Sequence, residues 1–206
     1  MHEYKLIESG KPLKEAKNAL ILIHGRGGTA ESIIPLAEEF PIEDCYIVAP
    51  QATGNTWYPY SFLAPEKQNE PWLSSAVDTI KRLISEISEH IPQENIYLMG
   101  FSQGACLTAE VAAQVTGRFA GVASFTGGLI GDSIKKDRYE GGDFKGTPFF
   151  IGTSDVDPHI PVKRAEETRD MCESLGANVV LKVYENMPHT IIQDEITTVK
   201  EMMNLS

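Results

Sequence analysis

Two kinds of apolar pattern alternate along this chain. The first is a short unbroken run, seen in Ala19-Leu20-Ile21-Leu22-Ile23, Cys45 to Ala49, Ile96 to Met99, Ala120 to Phe125 and Thr147 to Gly152. Runs of that length suit strands covered on both faces, as in a parallel sheet flanked by helices. The second pattern repeats every three or four residues. It is carried by Ile33, Ile34, Leu36, Ala37 and Phe40, then by Val77, Ile80, Ile84, Ile87 and Ile91, and later by Val162, Ala165, Arg169, Cys172 and Leu175. Each set predicts a helix with one buried stripe. Ile192, Ile196, Val199 and Met203 mark a last helix after a final strand at Asn178 to Tyr184, and Tyr4 to Ile7 reads as an edge strand.

Local signals place the ends. Thr29 is suited to cap the first helix, Ser75 with Asp78 and Thr190 with Gln193 resemble capping boxes, and Gly176 is a stop. The segment Gly131 to Gly146, rich in Gly, Lys and Asp, reads as a solvated loop. More than twenty residues separate Pro50 from a helix expected to begin near Ser74, and a connection of that length usually has a function. Strands alternating with helices from end to end predict one α/β domain over residues 1–206, a mostly parallel sheet with helices on both faces.

Composition narrows what such a domain does. The formal charge is −11, from 29 acidic and 18 basic residues, and no basic cluster is present to neutralise phosphates, so nucleic acid is not an expected partner. No apolar run is long enough for a membrane span, and the amino terminus lacks the apolar core of a signal peptide. Cys45, Cys106 and Cys172 cannot all pair and form no CxxC, which fits reduced thiols in a cytoplasmic protein. The histidines are scattered, HExxH is absent, and there is no GxxxxGK[ST] loop, so neither a metal nor a cofactor is expected. A homodimer is compatible with the chain.

The chemistry centres on Gly100-Phe101-Ser102-Gln103-Gly104. A strand runs into this GxSxG pentapeptide, and an Ala-rich helical pattern (Ala105, Leu107, Ala109, Val111, Ala112) starts at once. A turn that tight forces the serine into a strained backbone conformation and leaves its hydroxyl exposed at the carboxyl end of the strand. In a parallel sheet the carboxyl ends share one rim, so His24, Arg26, Ser102, Asp155, Asp157 and His189 converge there whatever their separation in sequence. A serine needs an imidazole to take its proton, and the imidazole needs a carboxylate to fix its tautomer. The chain supplies these in the order Ser, Asp, His, with Asp155 and Asp157 both available for the middle place.

His24-Gly25-Arg26-Gly27, the GFSQG pentapeptide, Asp157-Pro158-His159-Ile160-Pro161 and Pro188-His189 together resemble the phospholipase/carboxylesterase family of the α/β-hydrolase fold, which includes acyl-protein thioesterases. The resemblance spans roughly residues 19 to 200. It implies Ser102, Asp157 and His189 as the catalytic triad, Asp155 being the rival, and the backbone N–H groups of Arg26 and Gln103 as the oxyanion hole. It implies a serine hydrolase acting on carboxylic esters or thioesters of small to medium acyl groups, with little or no lid and a small-molecule ester as partner. Trp57, Tyr58 and Phe62 on the long loop, with Leu129 beyond the fourth buried run, are candidates for the pocket wall. A dienelactone-type or ring-cleavage-product hydrolase shares the scaffold, and a non-catalytic binding module is the rival from another class.

Overall fold

The computed structural model describes residues 1–205. Seven strands, β1 (Leu6–Gly10), β2 (Asn18–Ile23), β3 (Cys45–Pro50), β4 (Ile96–Phe101), β5 (Gly121–Phe125), β6 (Pro148–Ser154) and β7 (Asn178–Tyr184), form one sheet in the order β1-β3-β2-β4-β5-β6-β7. Only β1 is antiparallel, set against β3 with Leu6 opposite Pro50. The remaining pairings are parallel. The helices are α1 (Ala30–Ile33), extended by a 3-10 turn to Glu39, then α2 (Glu66–Asn69), α3 (Trp72–Ser88), α4 (Gln103–Val115), α5 (Val162–Ser174) and α6 (Gln193–Met202). None is long and apolar enough to cross a membrane.

The unbroken apolar runs are explained by the layers they serve. Successive strand side chains point to opposite faces. Ile21, Leu98, Val122 and Phe149 pack with α3, α4 and α5 on one side, while Leu20, Leu22, Met99, Ala123 and Phe150 pack with α1 and α6 on the other. Helix α4 lies deepest, with nearly all its residues buried. Helix α3 shows the stripe that its spacing predicts: Ile80, Leu83 and Ile87 are at most 1% exposed. Burying each such side chain contributes roughly 2 kcal/mol, enough to hold the helix without a side-chain cap.

Several helix ends differ from the sequence expectation. Thr29 does cap α1, its side chain accepting from the Ser32 N–H. Helix α3, however, begins at Trp72 after Pro71, with no side-chain cap. Ser75 sits inside it and accepts instead from the His2 backbone N–H at 2.9 Å, so the Ser75/Asp78 box does not form. At α6 the helix starts at Gln193, and the Glu195 carboxylate, not a Thr190/Gln193 pair, reaches back to the Ile192 N–H at 3.0 Å. Gly176 ends α5 at φ 80° as expected.

The 131–146 segment is the mostly exposed loop expected, but it carries buried anchors. Tyr139 and Phe144 are fully buried. Glu110 of α4, itself buried, accepts from the Tyr139 hydroxyl and Arg138 guanidinium at 2.9 Å each, and from the Ile130 N–H at 3.1 Å. A buried carboxylate needs such partners, and the segment folds down to provide them.

Candidate active site

The turn at Ser102 is dictated by crowding where β4 meets α4. Gly100 and Gly104 flank Ser102; a Cβ on Gly100 would collide with the Gly104 carbonyl, and one on Gly104 with the carbonyl of Ile23 on β2. Without side chains the strand and helix cross closely, and Ser102 takes up φ 55° and ψ −118°. That left-handed conformation is costly for a residue with a Cβ and persists only where the surroundings over-determine it. Here the Ser102 N–H donates to Phe125 O at 3.0 Å, and its carbonyl accepts from the Cys106 N–H at 3.0 Å.

The other groups arrive on loops that leave the same rim. Asp157 follows β6, and His189 follows β7. His189 Nε2 lies 2.8 Å from Ser102 Oγ and Nδ1 lies 2.6 Å from Asp157 Oδ2. The imidazole thus spans the two, and the Asp157 carboxylate beneath it is fully covered. Burial disfavours charge on Asp157, but hydrogen bonds from His189, Ile160 N–H and His159 N–H outweigh it and hold the carboxyl below the ordinary aspartate value. The two backbone donors reach Oδ1 at 2.9 and 2.8 Å.

Asp155 is turned elsewhere. Its Oδ1 accepts from the Asn186 N–H at 2.8 Å, so it ties the end of β6 to the loop carrying His189 without touching the imidazole.

The His24-to-Gly27 turn lies against Ser102: a Cβ on Gly25 would stand 3.3 Å from the Ser102 Cβ. Among the described residues, neither the Arg26 N–H nor the Gln103 N–H donates to another group of the chain. Gln103 is the first residue of α4, where backbone donors have no partner within the helix. His24 is a structural member of the turn, with Nδ1 2.8 Å from Gly25 O and Nε2 accepting from the Ala52 N–H at 3.1 Å. Burial lowers its pKa, which fits a neutral ring with the proton on Nδ1.

A cavity of about 790 Å³ opens beside Ser102, lined by the 58–63 loop segment, by Arg26 and Cys106, and by the Pro158–Pro161 segment. Tyr58 and Phe62 belong to its wall; Trp57 and Leu129 do not. Trp57 is completely buried beneath the turn and donates its indole N–H to His24 O at 2.9 Å. Leu129 is buried against α5, its N–H donating to Thr168 Oγ1 and its carbonyl accepting from Arg164. Leu63 and Ile160 line the cavity without having been singled out by the sequence. Cys106, one turn along α4 from Ser102, has its thiol pushed up to about 12 by burial, which keeps it a neutral, unreactive thiol.

Two fasteners of this wall escape sequence reasoning. The Gln103 side chain accepts from the Trp57 N–H at 2.9 Å and donates to Tyr58 O at 2.8 Å, pinning the long loop to α4. His2 is half-buried between Trp57 and Trp72, with Nε2 2.8 Å from Trp57 O and Nδ1 accepting from the Thr53 N–H. Among the described residues no group of three His, Cys, Asp or Glu is placed to hold a metal.

The model of the phospholipase/carboxylesterase family matches residues 2–206. The chain belongs to that family. A solved phospholipase/carboxylesterase from Dyadobacter fermentans is 46% identical and superposes with a TM-score of 0.95 over 98% of this chain and 97% of its own. The Bacillus cereus carboxylesterase, 20% identical with a TM-score of 0.72 over 98% of this chain and 93% of its own, shares the fold. Among curated family relatives, acyl-protein thioesterase 1 of Saccharomyces cerevisiae is 27% identical, covering 89% of this chain and 90% of the yeast protein. That of Debaryomyces hansenii is 30% identical, covering 89% and 88%. The fold is therefore the α/β-hydrolase fold, and this family member is a hydrolase of the esterase/thioesterase kind.

Proposed function

We propose that the chain is a serine hydrolase that cleaves carboxylic esters or thioesters of small to medium acyl groups through an acyl-enzyme on Ser102. The observation that carries this reading is the His189 imidazole bridging Ser102 Oγ at 2.8 Å and Asp157 Oδ2 at 2.6 Å. Neutral His189 takes the Ser102 proton at Nε2 as Oγ attacks the carbonyl carbon. Asp157 holds the proton on Nδ1 and stabilises the imidazolium that forms. The Arg26 and Gln103 N–H groups supply donors for the oxyanion; loss of one such donor in an oxyanion hole typically costs about 3 to 4 kcal/mol of transition-state stabilisation.

Collapse of the tetrahedral species expels the alcohol or thiol, protonated by His189. A water then repeats the sequence on the acyl-enzyme, giving its proton to His189 and releasing the acid and Ser102.

The open cavity favours soluble esters: it is bounded by one pinned loop and the Pro158–Pro161 segment, with no separate lid element over it among the described residues. A fluorophosphonate probe with intact-mass analysis tests the reading. One adduct on Ser102, absent from Ser102→Ala, is expected. Well-folded protein that takes no label would overturn it in favour of a binding module.

A further inference from the structure

The charges around the cavity run against the charge of the chain. Of 206 residues, 29 are acidic and the formal charge is −11, yet no Asp or Glu lines the cavity. Besides Tyr58 and Tyr60, its ionisable walls are Arg26, His159 and His189, with Cys106 as a neutral thiol. The His189 ring is matched by Asp157 beneath it. Arg26 has no such partner: its guanidinium donates to Pro59 O at 2.9 Å and Tyr60 O at 2.7 Å and makes no ion pair with any carboxylate among the described residues. Two carbonyls fix the group in place and leave its full charge uncompensated at the cavity wall, 6.0 Å from the Tyr58 ring centroid. Across from it, the exposed His159 stands edge-on to His189 with ring centroids 5.2 Å apart.

We infer that the cavity selects esters or thioesters that carry a second, anionic group, a carboxylate in the simplest case, within a few bonds of the scissile carbonyl, where Arg26 receives it. This rests on the hydrolase reading above and narrows its substrate class. The position follows from connectivity. Arg26 offers its backbone N–H to the oxyanion, so its guanidinium sits one side-chain length from the reacting carbonyl. A fixed guanidinium matches a carboxylate in two-point geometry, and its site needs little ordering on binding. An unpaired cation at the wall of a cleft also attracts the opposite ion locally. Without that local field, a chain of net charge −11 would repel anionic substrates and process them more slowly than neutral ones.

The test uses the wild-type protein and three esters of similar size and leaving-group acidity: 4-nitrophenyl butyrate, which is neutral, 4-nitrophenyl hemisuccinate, with a carboxylate on the acyl side, and 3-carboxy-4-nitrophenyl butyrate, with one on the leaving side. At low ionic strength kcat/KM for one of the two anionic esters should exceed that for the butyrate by about tenfold or more, equivalent to roughly 1.4 kcal/mol. The arm that shows the gain identifies the side on which Arg26 receives the anion. The gap should narrow in about 0.5 M salt, where charges at a solvent-open site are screened. Arg26→Gln should close it by lowering the anionic ester's kcat/KM more than the neutral ester's. Hydrolysis of the neutral ester as fast as, or faster than, both anionic esters would overturn the inference while leaving the hydrolase reading standing. No Ser102-dependent turnover of any of the three would count against that reading itself.

Discussion

Glu195 is the most exposed to refutation of the groups packed around this site, because its environment makes a signed statement about pH. It lies three residues into α6, is completely buried, and uses one carboxylate oxygen to accept from the Ile192 N–H at 3.0 Å. The other oxygen has no partner in the chain. It presses against Gly152 of β6, where any Cβ would overlap it, so the notch is cut to the carboxyl. Desolvation raises its pKa from 4.5 to about 7, against the lowering effect of the Ile192 N–H and with a small addition from Asp194. Between those two values the folded chain holds a proton that the unfolded chain has released, so stability falls as pH rises through this window and levels off above about 7. The whole loss is at most about 3 kcal/mol.

Glu195→Gln removes the titration while keeping a carbonyl for the Ile192 N–H. Urea unfolding of both proteins at about pH 5 and about pH 8.5 reads the effect, and comparing the mutational difference across pH cancels any constant cost of the amide. At the lower pH the variant should match or fall slightly below the wild type. At the higher pH it should gain up to about 3 kcal/mol relative to that, or roughly 6 to 12 °C in melting temperature for a chain of this size. A mutational difference that is the same at both pH values would refute the reasoning, since it would mean that Glu195 is ionised alike in both states.

Two further substitutions probe the site. Asp157→Asn should lower kcat by up to about 10⁴-fold with little change in KM, whereas Asp155→Asn should cost under about tenfold, a loosened tie to Asn186 being its only direct loss; steady-state kinetics on one chromogenic ester decides, and the reverse order would exchange the two roles. Gly104→Ala should destabilise the fold by about 3 kcal/mol because its Cβ meets immovable backbone, while Gly54→Ala, which has a positive φ but open space, should cost about 1 kcal/mol; equal melting-temperature losses would mean the elbow is less crowded than its geometry says.

The sheet and its helices were legible because burial on both faces leaves a signal in composition alone: β2, β4 and β5 are apolar at nearly every position, and the helices between them are striped. The turn at Ser102 was legible because those two patterns meet inside five residues. What was not legible depended on partners far away in sequence. Ser75 looks like a cap until the His2 N–H claims it, and residues 131–146 look solvated throughout until Glu110 of α4 requires partners. Trp57 and Leu129 were apolar and near the rim, but periodicity cannot say whether a side chain faces a cavity or the core. Trp57 faces the core because a buried indole N–H needs an acceptor, and the His24 carbonyl offers one.

The two aspartates show the same limit at the site itself. Asp155 and Asp157 carry the same functional group, two positions apart on one loop, and spacing gives each a route to the imidazole. The difference lies in backbone donors. Asp157 stands just before the Pro158–Pro161 turn, whose geometry directs the His159 and Ile160 N–H groups onto Oδ1 and leaves Oδ2 for His189. A carboxylate held by two amides keeps its charge under cover and cannot swing away, which is what orienting an imidazole requires. Asp155, exposed and engaged with Asn186, has neither restraint. The proline-bounded turn is therefore the part of that motif with mechanical content: it selects which carboxylate is aimed, and the acidic residue supplies the charge.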